Sequence, residues 1–126
     1  MNFEITFTPE QQKFQIRVRD WLKRNIPKGI EHPADPANLT KEGYAKQRAL
    51  GRSLALEGWL YPTYPIEFGG GGLSANEALI IEIELEKHDQ ILPPYYDSGG
   101  KLAAASIMVW GTQEQKTFFL PQILKG

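Results

Sequence analysis

Phe14, Val18, Trp21 and Leu22 recur at i, i+4, i+7 and i+8, the spacing of one apolar stripe on a helix. Thr8 stands in the cap position, Pro9 in the first helical position, and Gln11 completes a capping box. Arg17, Arg19, Lys23 and Arg24 fall on the side this pattern leaves to solvent, and Pro27 with Gly29 ends the element. Residues 27–39, with Pro27, Pro33 and Pro36, read as a loop. A second helix is predicted from the Thr40 cap to Glu57, with Gly58 as its stop. Leu50 and Leu54 share its inner face with Gln47, a weaker stripe than the first. The run Trp59 to Phe68 carries Pro62 and Pro65, and Gly69 to Gly72 come after it, which excludes regular structure.

Ser74 and Glu77 form a second capping box, opening a helix predicted to reach about Asp89. Ala78, Ile81 and Leu85 make its main stripe, and Ile80 and Ile83 widen it, so this helix should be buried on most sides. Pro93 and Pro94 separate it from a fourth helix that starts at Asp97 or Ser98 and ends at Trp110. Leu102, Ala103, Ala104, Ala105, Ile107, Met108 and Val109 make that helix apolar nearly all round, which predicts the central, most enclosed element. Gly111 ends it, and Thr112 with Gln115 opens a fifth by the same capping box. Pro121 should break or kink the fifth helix, because its ring opposes the carbonyl of Thr117. The expected fold is all-α: five to six helices in one compact bundle, with a long Gly/Pro-rich connecting loop.

A chain of 126 residues suits one domain. Folded, it should expose about 6,800 Å² against roughly 20,600 Å² unfolded, enough burial for a core without covalent staples. The absence of cysteine removes disulfides, thiolate metal sites and a cysteine nucleophile. Fourteen Lys and Arg against fifteen Asp and Glu leave no basic excess to neutralise a phosphate backbone, so nucleic-acid binding is not expected. No apolar run is long enough to span a membrane. The first residues lack both a basic leader and a long apolar core, so cytoplasmic location is the expectation.

Chemistry-bearing residues are few. Gly69–Gly72 before a helix invites a phosphate cradle, but neither the lysine nor the preceding strand of a P-loop is present, which favours a tight structural loop. Glu84 and His88 are i,i+4 neighbours with only Glu77 and Asp89 nearby as further ligand candidates, so a surface ion pair or solvated helix end is the better account. His32 stands alone in a proline-rich loop. The segment Tyr95-Tyr96-Asp97-Ser98-Gly99-Gly100 has two readings: part of an apolar pocket with a few orienting polar groups, or a capped helix start whose glycines permit close packing.

The order of motifs adds to this. Gly58-Trp59-Leu60, and after it Pro65-Ile66-Glu67-Phe68-Gly69-Gly70-Gly71-Gly72-Leu73-Ser74, resembles the Gly-Gly-x-Gly-Leu-Ser loop of the acyl-CoA dehydrogenase family. Glu84-Leu85 matches that family's acidic residue before a leucine. Gly111-Thr112-Gln113-Glu114-Gln115-Lys116 with Phe119-Leu120-Pro121 resembles its second hallmark, and Phe7-Thr8-Pro9-Glu10-Gln11 its opening. Members remove hydrogens from Cα and Cβ of an acyl-CoA thioester: a glutamate takes the α-proton, FAD takes a hydride, and an electron-transfer flavoprotein reoxidises the flavin. The resemblance implies that residues 1–126 are the N-terminal helical domain of such an enzyme of fatty-acid metabolism. The flavin-binding β-domain and the C-terminal helical domain, which holds the catalytic glutamate, are absent from the sequence. It implies no catalytic, cofactor-binding or metal-binding residue here, and an inactive chain when alone. FAD, acyl-CoA, the electron-transfer flavoprotein and a homo-oligomeric state belong to the whole enzyme. Counting back from Gly111, the resemblance sets Tyr95, Ser98, Gly99 and Leu102 on or near the acyl-pocket wall. The alternatives are a free-standing helical interaction module of the same fold without flavin chemistry, and a related flavin oxidase. A domain of this kind taken alone should keep an apolar patch and self-associate.

Overall fold

The computed structural model describes residues 5–126. Among these the fold is all-α, with five helices: α1 Pro9–Asn25, α2 Lys41–Leu56, α3 Ala75–Glu86, α4 Ala105–Trp110 and α5 Gln113–Leu124. A π-helical turn, Gly99–Ala104, leads into α4, and short 3-10 turns form at Pro36–Asn38 and Ile66–Phe68. The predicted starts hold. Thr8, Ser74 and Thr112 each accept the N–H of the residue three positions on, and Gln11, Glu77 and Gln115 return a side-chain bond to the cap. Each box satisfies two of the donors a helix start leaves free.

The core gathers Val18 and Leu22 from α1, Leu50 and Leu54 from α2, Ile81 and Leu85 from α3, and Leu120 and Leu124 from α5 around Trp59 and Leu60. The Trp59 ring meets Phe14 and Trp21 edge-on, with centroids 5.9 and 5.5 Å away. Gln47, the polar member of the α2 stripe, is buried and donates to the Glu31 carbonyl at 2.7 Å, so it ties the 27–39 loop to the bundle.

The loop after Trp59 is ordered by its own backbone. Gly71 N–H donates to Tyr61 O, Gly72 N–H to Tyr64 O and Leu73 N–H to Pro62 O. A Cβ on Gly71 would collide with the Gly58 carbonyl, so that glycine marks a close approach of two backbone segments. The glycine run is a tight structural loop, as expected.

Three expectations fail. α3 ends at Glu86 rather than Asp89, because Asp89 adopts a left-handed conformation (φ 56°) and reverses the chain. α5 runs through Pro121 without a break: Leu120 and Leu124, on either side of the proline, are both fully buried and hold both halves to the core. The third is the largest. The helix from Ser98 to Trp110 is not the most enclosed element; only Gly100 and Ala104 are buried along its π turn, and α4 has no buried residue.

Candidate functional site

The segment Gly99–Trp110 buries small residues and displays large ones. Gly100 and Ala104 face the core, while Leu102, Val109 and Trp110 are 68%, 69% and 86% exposed. Small residues let the helix approach α5 and the interior closely, so its bulky side chains are turned outward. The middle of α5 adds Phe118 and Phe119, both exposed, with rings edge to face at 4.9 Å. Between α4 and α5 lies a groove of about 460 Å³, lined by Ala103, Ser106, Ile107, Trp110, Phe119 and Ile123 among others. Two of its polar atoms are already committed. Ser106 Oγ donates to Leu102 O, and Gln115 Oε1 accepts the Thr112 N–H of its own capping box. The groove offers a partner apolar surface. The protein exposes 8243 Å², well above the roughly 6,800 Å² of a typical monomer of this mass.

Of the four residues assigned to an acyl wall, three stand at the helix start. Ser98 is exposed and Gly99 half-buried there, and Leu102 is exposed within the π turn. Tyr95 is buried and turns instead toward α2, where its ring lies against Gly51. There the Arg48 guanidinium stands 4.7 Å from the Tyr95 ring centroid and donates to the Tyr44 hydroxyl at 3.1 Å. Burial pushes the Tyr95 phenol above its ordinary pKa, with the Arg48 charge opposing that rise. Tyr96 is exposed beside it. Asp97 is the cap of the helix start: its Oδ1 accepts the Gly100 N–H at 2.8 Å. Arg48 Nε, Tyr61 Oη and Asp97 Oδ2 are all buried without a hydrogen-bond partner.

Glu84 corrects the picture of a surface ion pair. It is fully buried between α1 and α3, and its Oε1 accepts from Gln15, Arg19 and Lys87, each at 2.9 Å, while Oε2 accepts from Arg19 Nε at 3.2 Å. Burial raises the Glu84 pKa, but the hydrogen bonds from Arg19, Lys87 and Gln15 and the Arg19 charge outweigh it and hold the carboxyl at about 2. A Glu84–His88 pair is therefore not formed. Arg19, assigned to the solvent side of α1, reaches across to Glu84. The signal was in the sequence: an acid flanked by Ile80, Ile81 and Leu85 needs donors, and Gln15 and Arg19 sit one turn apart on α1. His32 meets the side chain of buried Gln90, an ordinary anchoring of its loop. Nothing in the sequence singles out Tyr61, Trp110, Phe118 or Phe119 for a functional role.

Residues 8–126 match the family model of the acyl-CoA dehydrogenase N-terminal domain. The chain is 30% identical to the acyl-CoA dehydrogenase FadE26 of Mycobacterium tuberculosis, over 97% of this chain and 30% of that protein. It is 32% identical to the probable acyl-CoA dehydrogenase YngJ of Bacillus subtilis, over the whole of this chain and 31% of that protein. The fold is similar to a chain in the crystal structure of the ChsE4-ChsE5 complex from M. tuberculosis, with a TM-score of 0.70, 28% identity, and coverage of 98% of this chain and 29% of that one. The chain thus spans about 30% of the length of the curated relatives it matches. Among the described residues no helix is long and apolar enough to cross a membrane. Matched by the family model from residue 8 to residue 126, the chain belongs to the acyl-CoA dehydrogenase family, as an N-terminal domain of that family.

Proposed function

We propose that this chain is the part of a cytoplasmic, FAD-dependent acyl-CoA dehydrogenase that supplies one wall of the acyl pocket, and that it is inactive alone. The observation that carries this reading is the inversion of the last helices: Gly100 and Ala104 inside, Leu102, Val109 and Trp110 outside. Such a face, beside a groove lined mainly by apolar side chains and by none that is charged, suits an acyl chain and the packing of further protein. Ser98, Gly99 and Leu102 lie at its start; Tyr95 acts from behind, packed on α2.

Neither the glycine loop nor the α4–α5 groove has the donors or charge that suit a flavin dinucleotide. A Cβ on Gly71 would meet the carbonyls of Gly58 and Pro62, which are acceptors, and the α4–α5 groove is lined without a charged side chain that could meet a pyrophosphate. FAD, the base that takes the α-proton and the electron-transfer flavoprotein contact are therefore assigned to protein outside these residues, in a homo-oligomeric enzyme. The chain's own contribution is to bind and orient the acyl group and to keep water from it.

Dye-coupled oxidation of acyl-CoA thioesters tests the reading. The complete coding region that contains these residues should yield a yellow protein that oxidises an acyl-CoA, and the 126-residue chain should be colourless and inactive. Turnover by the 126-residue chain, or a complete protein that oxidises no acyl-CoA, contradicts it; the second result would favour a free-standing interaction module.

A further inference from the structure

Three features meet where the last helix pair begins. The helix opens with a π turn over Gly99–Ala104 rather than an α turn. Asp97 caps that turn with one oxygen only: Oδ1 accepts the Gly100 N–H, while Oδ2 is buried and unpartnered. Tyr61, itself buried in the loop after α2, brings an unpartnered hydroxyl to the same place. A Cβ on Gly100 would overlap both the Tyr61 hydroxyl oxygen and Asp97 Oδ2, so the two oxygens flank one small volume that glycine leaves free.

A phenol can donate a proton, and an ionised carboxylate can only accept. Buried polar groups in native proteins are paired. Each of these two supplies what the other lacks. We propose that Tyr61 and Asp97 form a hydrogen-bonded latch across Gly100, with the Tyr61 hydroxyl donating to Asp97 Oδ2, and that this latch makes them positioning residues for the acyl-pocket wall.

The link to the wall is geometric, and it rests on the proposed role of the α4 face. A π turn holds one more residue than an α turn, so the helix beyond it is rotated by about one residue's step, roughly 100°. Which side chains the wall presents, with Leu102 inside the turn and Ser106 and Val109 beyond it, depends on the turn keeping its form. Held at both Gly100 N–H and Oδ2, Asp97 fixes the start of that turn to the loop at Tyr61. With the latch gone, the segment is free to rewind to i→i−4 bonding and to change the wall.

Two measurements on Tyr61→Phe, Asp97→Asn and the double variant decide it. In the 126-residue chain, amide hydrogen exchange at residues 100–104 should accelerate at least about tenfold in each single variant and no further in the double, with the α1 and α3 amides unchanged. In the complete enzyme, the ratio of kcat/KM values for a short and a long acyl-CoA should shift at least about fivefold in Tyr61→Phe, chiefly through KM. Unchanged exchange, or additive effects in the double variant, would overturn the latch. Faster exchange with an unchanged selectivity ratio would leave a capping bond and overturn the positioning role. A wild-type enzyme inactive on every acyl-CoA would refute the functional reading and the positioning role with it, while the exchange result would still stand for the latch.

Discussion

The α1–α3 seam and the α4–α5 face use similar residues in opposite ways. In the seam, large side chains (Leu22, Ile81, Leu85, with Trp59 beside them) are inside, and the one buried acid, Glu84, is met by donors from Gln15, Arg19 and Lys87. Along the π turn into α4, glycine and alanine are inside, and Leu102, Val109 and Trp110, with Phe118 of α5, are outside. Apolar content alone does not say which way a helix turns. The positions of the small residues do, since they alone permit close approach. The seam is finished as it stands, whereas the face has the composition of an interior that nothing among the described residues covers.

Truncation separates the two regions most sharply. Trp59→Ala, in the centre of the seam, should destabilise the chain by about 4 kcal/mol through lost burial and the cavity left behind. Trp110→Ala should stay within about 0.5 kcal/mol, because an exposed ring has little to lose. Urea unfolding read by circular dichroism measures both, and equal losses would abolish the distinction.

Glu84→Ala comes next. It removes the shared acceptor of three donors, and since Arg19 and Lys87 keep access to water the cost should be about 3 kcal/mol, at the low end for a broken buried pair. The same group sets an acid limit. Its folded pKa of about 2 lies below the ordinary 4.5, so its contribution is fully present above pH 4.5 and is lost as the pH falls toward 2. Stability should drop by about 2–3 kcal/mol over that window in the wild type. In Glu84→Gln the drop should be smaller by that amount, as pH-dependent chemical unfolding would read.

The smallest effect concerns association. The uncovered face should make the 126-residue chain self-associate, and Trp110→Ser with Phe118→Ser should return it toward monomer without loss of fold. Sedimentation velocity over a concentration series checks this; a wild-type monomer at high concentration would count against it.

Local signals were the most legible part of the sequence. Thr8, Ser74 and Thr112 announced their helices because a capping box is made within four consecutive residues and needs no tertiary partner. The glycine loop was legible as structure, since neither lysine nor strand accompanied it. The failures depended on the rest of the molecule. Pro121 is carried by Leu120 and Leu124, whose burial no local pattern shows. The burial of Glu84 rests on Arg19 and Gln15, which lie 65 and 69 positions away and outside any helical spacing around it. Leu102 and its neighbours predicted an enclosed helix, and the composition did describe an interior. Nothing among the described residues covers it. Of the residues proposed for the acyl wall, Ser98, Gly99 and Leu102 fall together along one helix start, while the turn of Tyr95 toward Gly51 of α2 could not be foreseen from spacing.

Carbene footprinting of the 126-residue chain and of the complete protein tests most directly whether the α4–α5 face is a surface made to be covered. Trp110, Phe118 and Phe119 should label strongly in the chain alone and be protected in the complete protein, with Leu22 and Leu85 protected in both. Equal labelling of Trp110, Phe118 and Phe119 in the two would contradict the account.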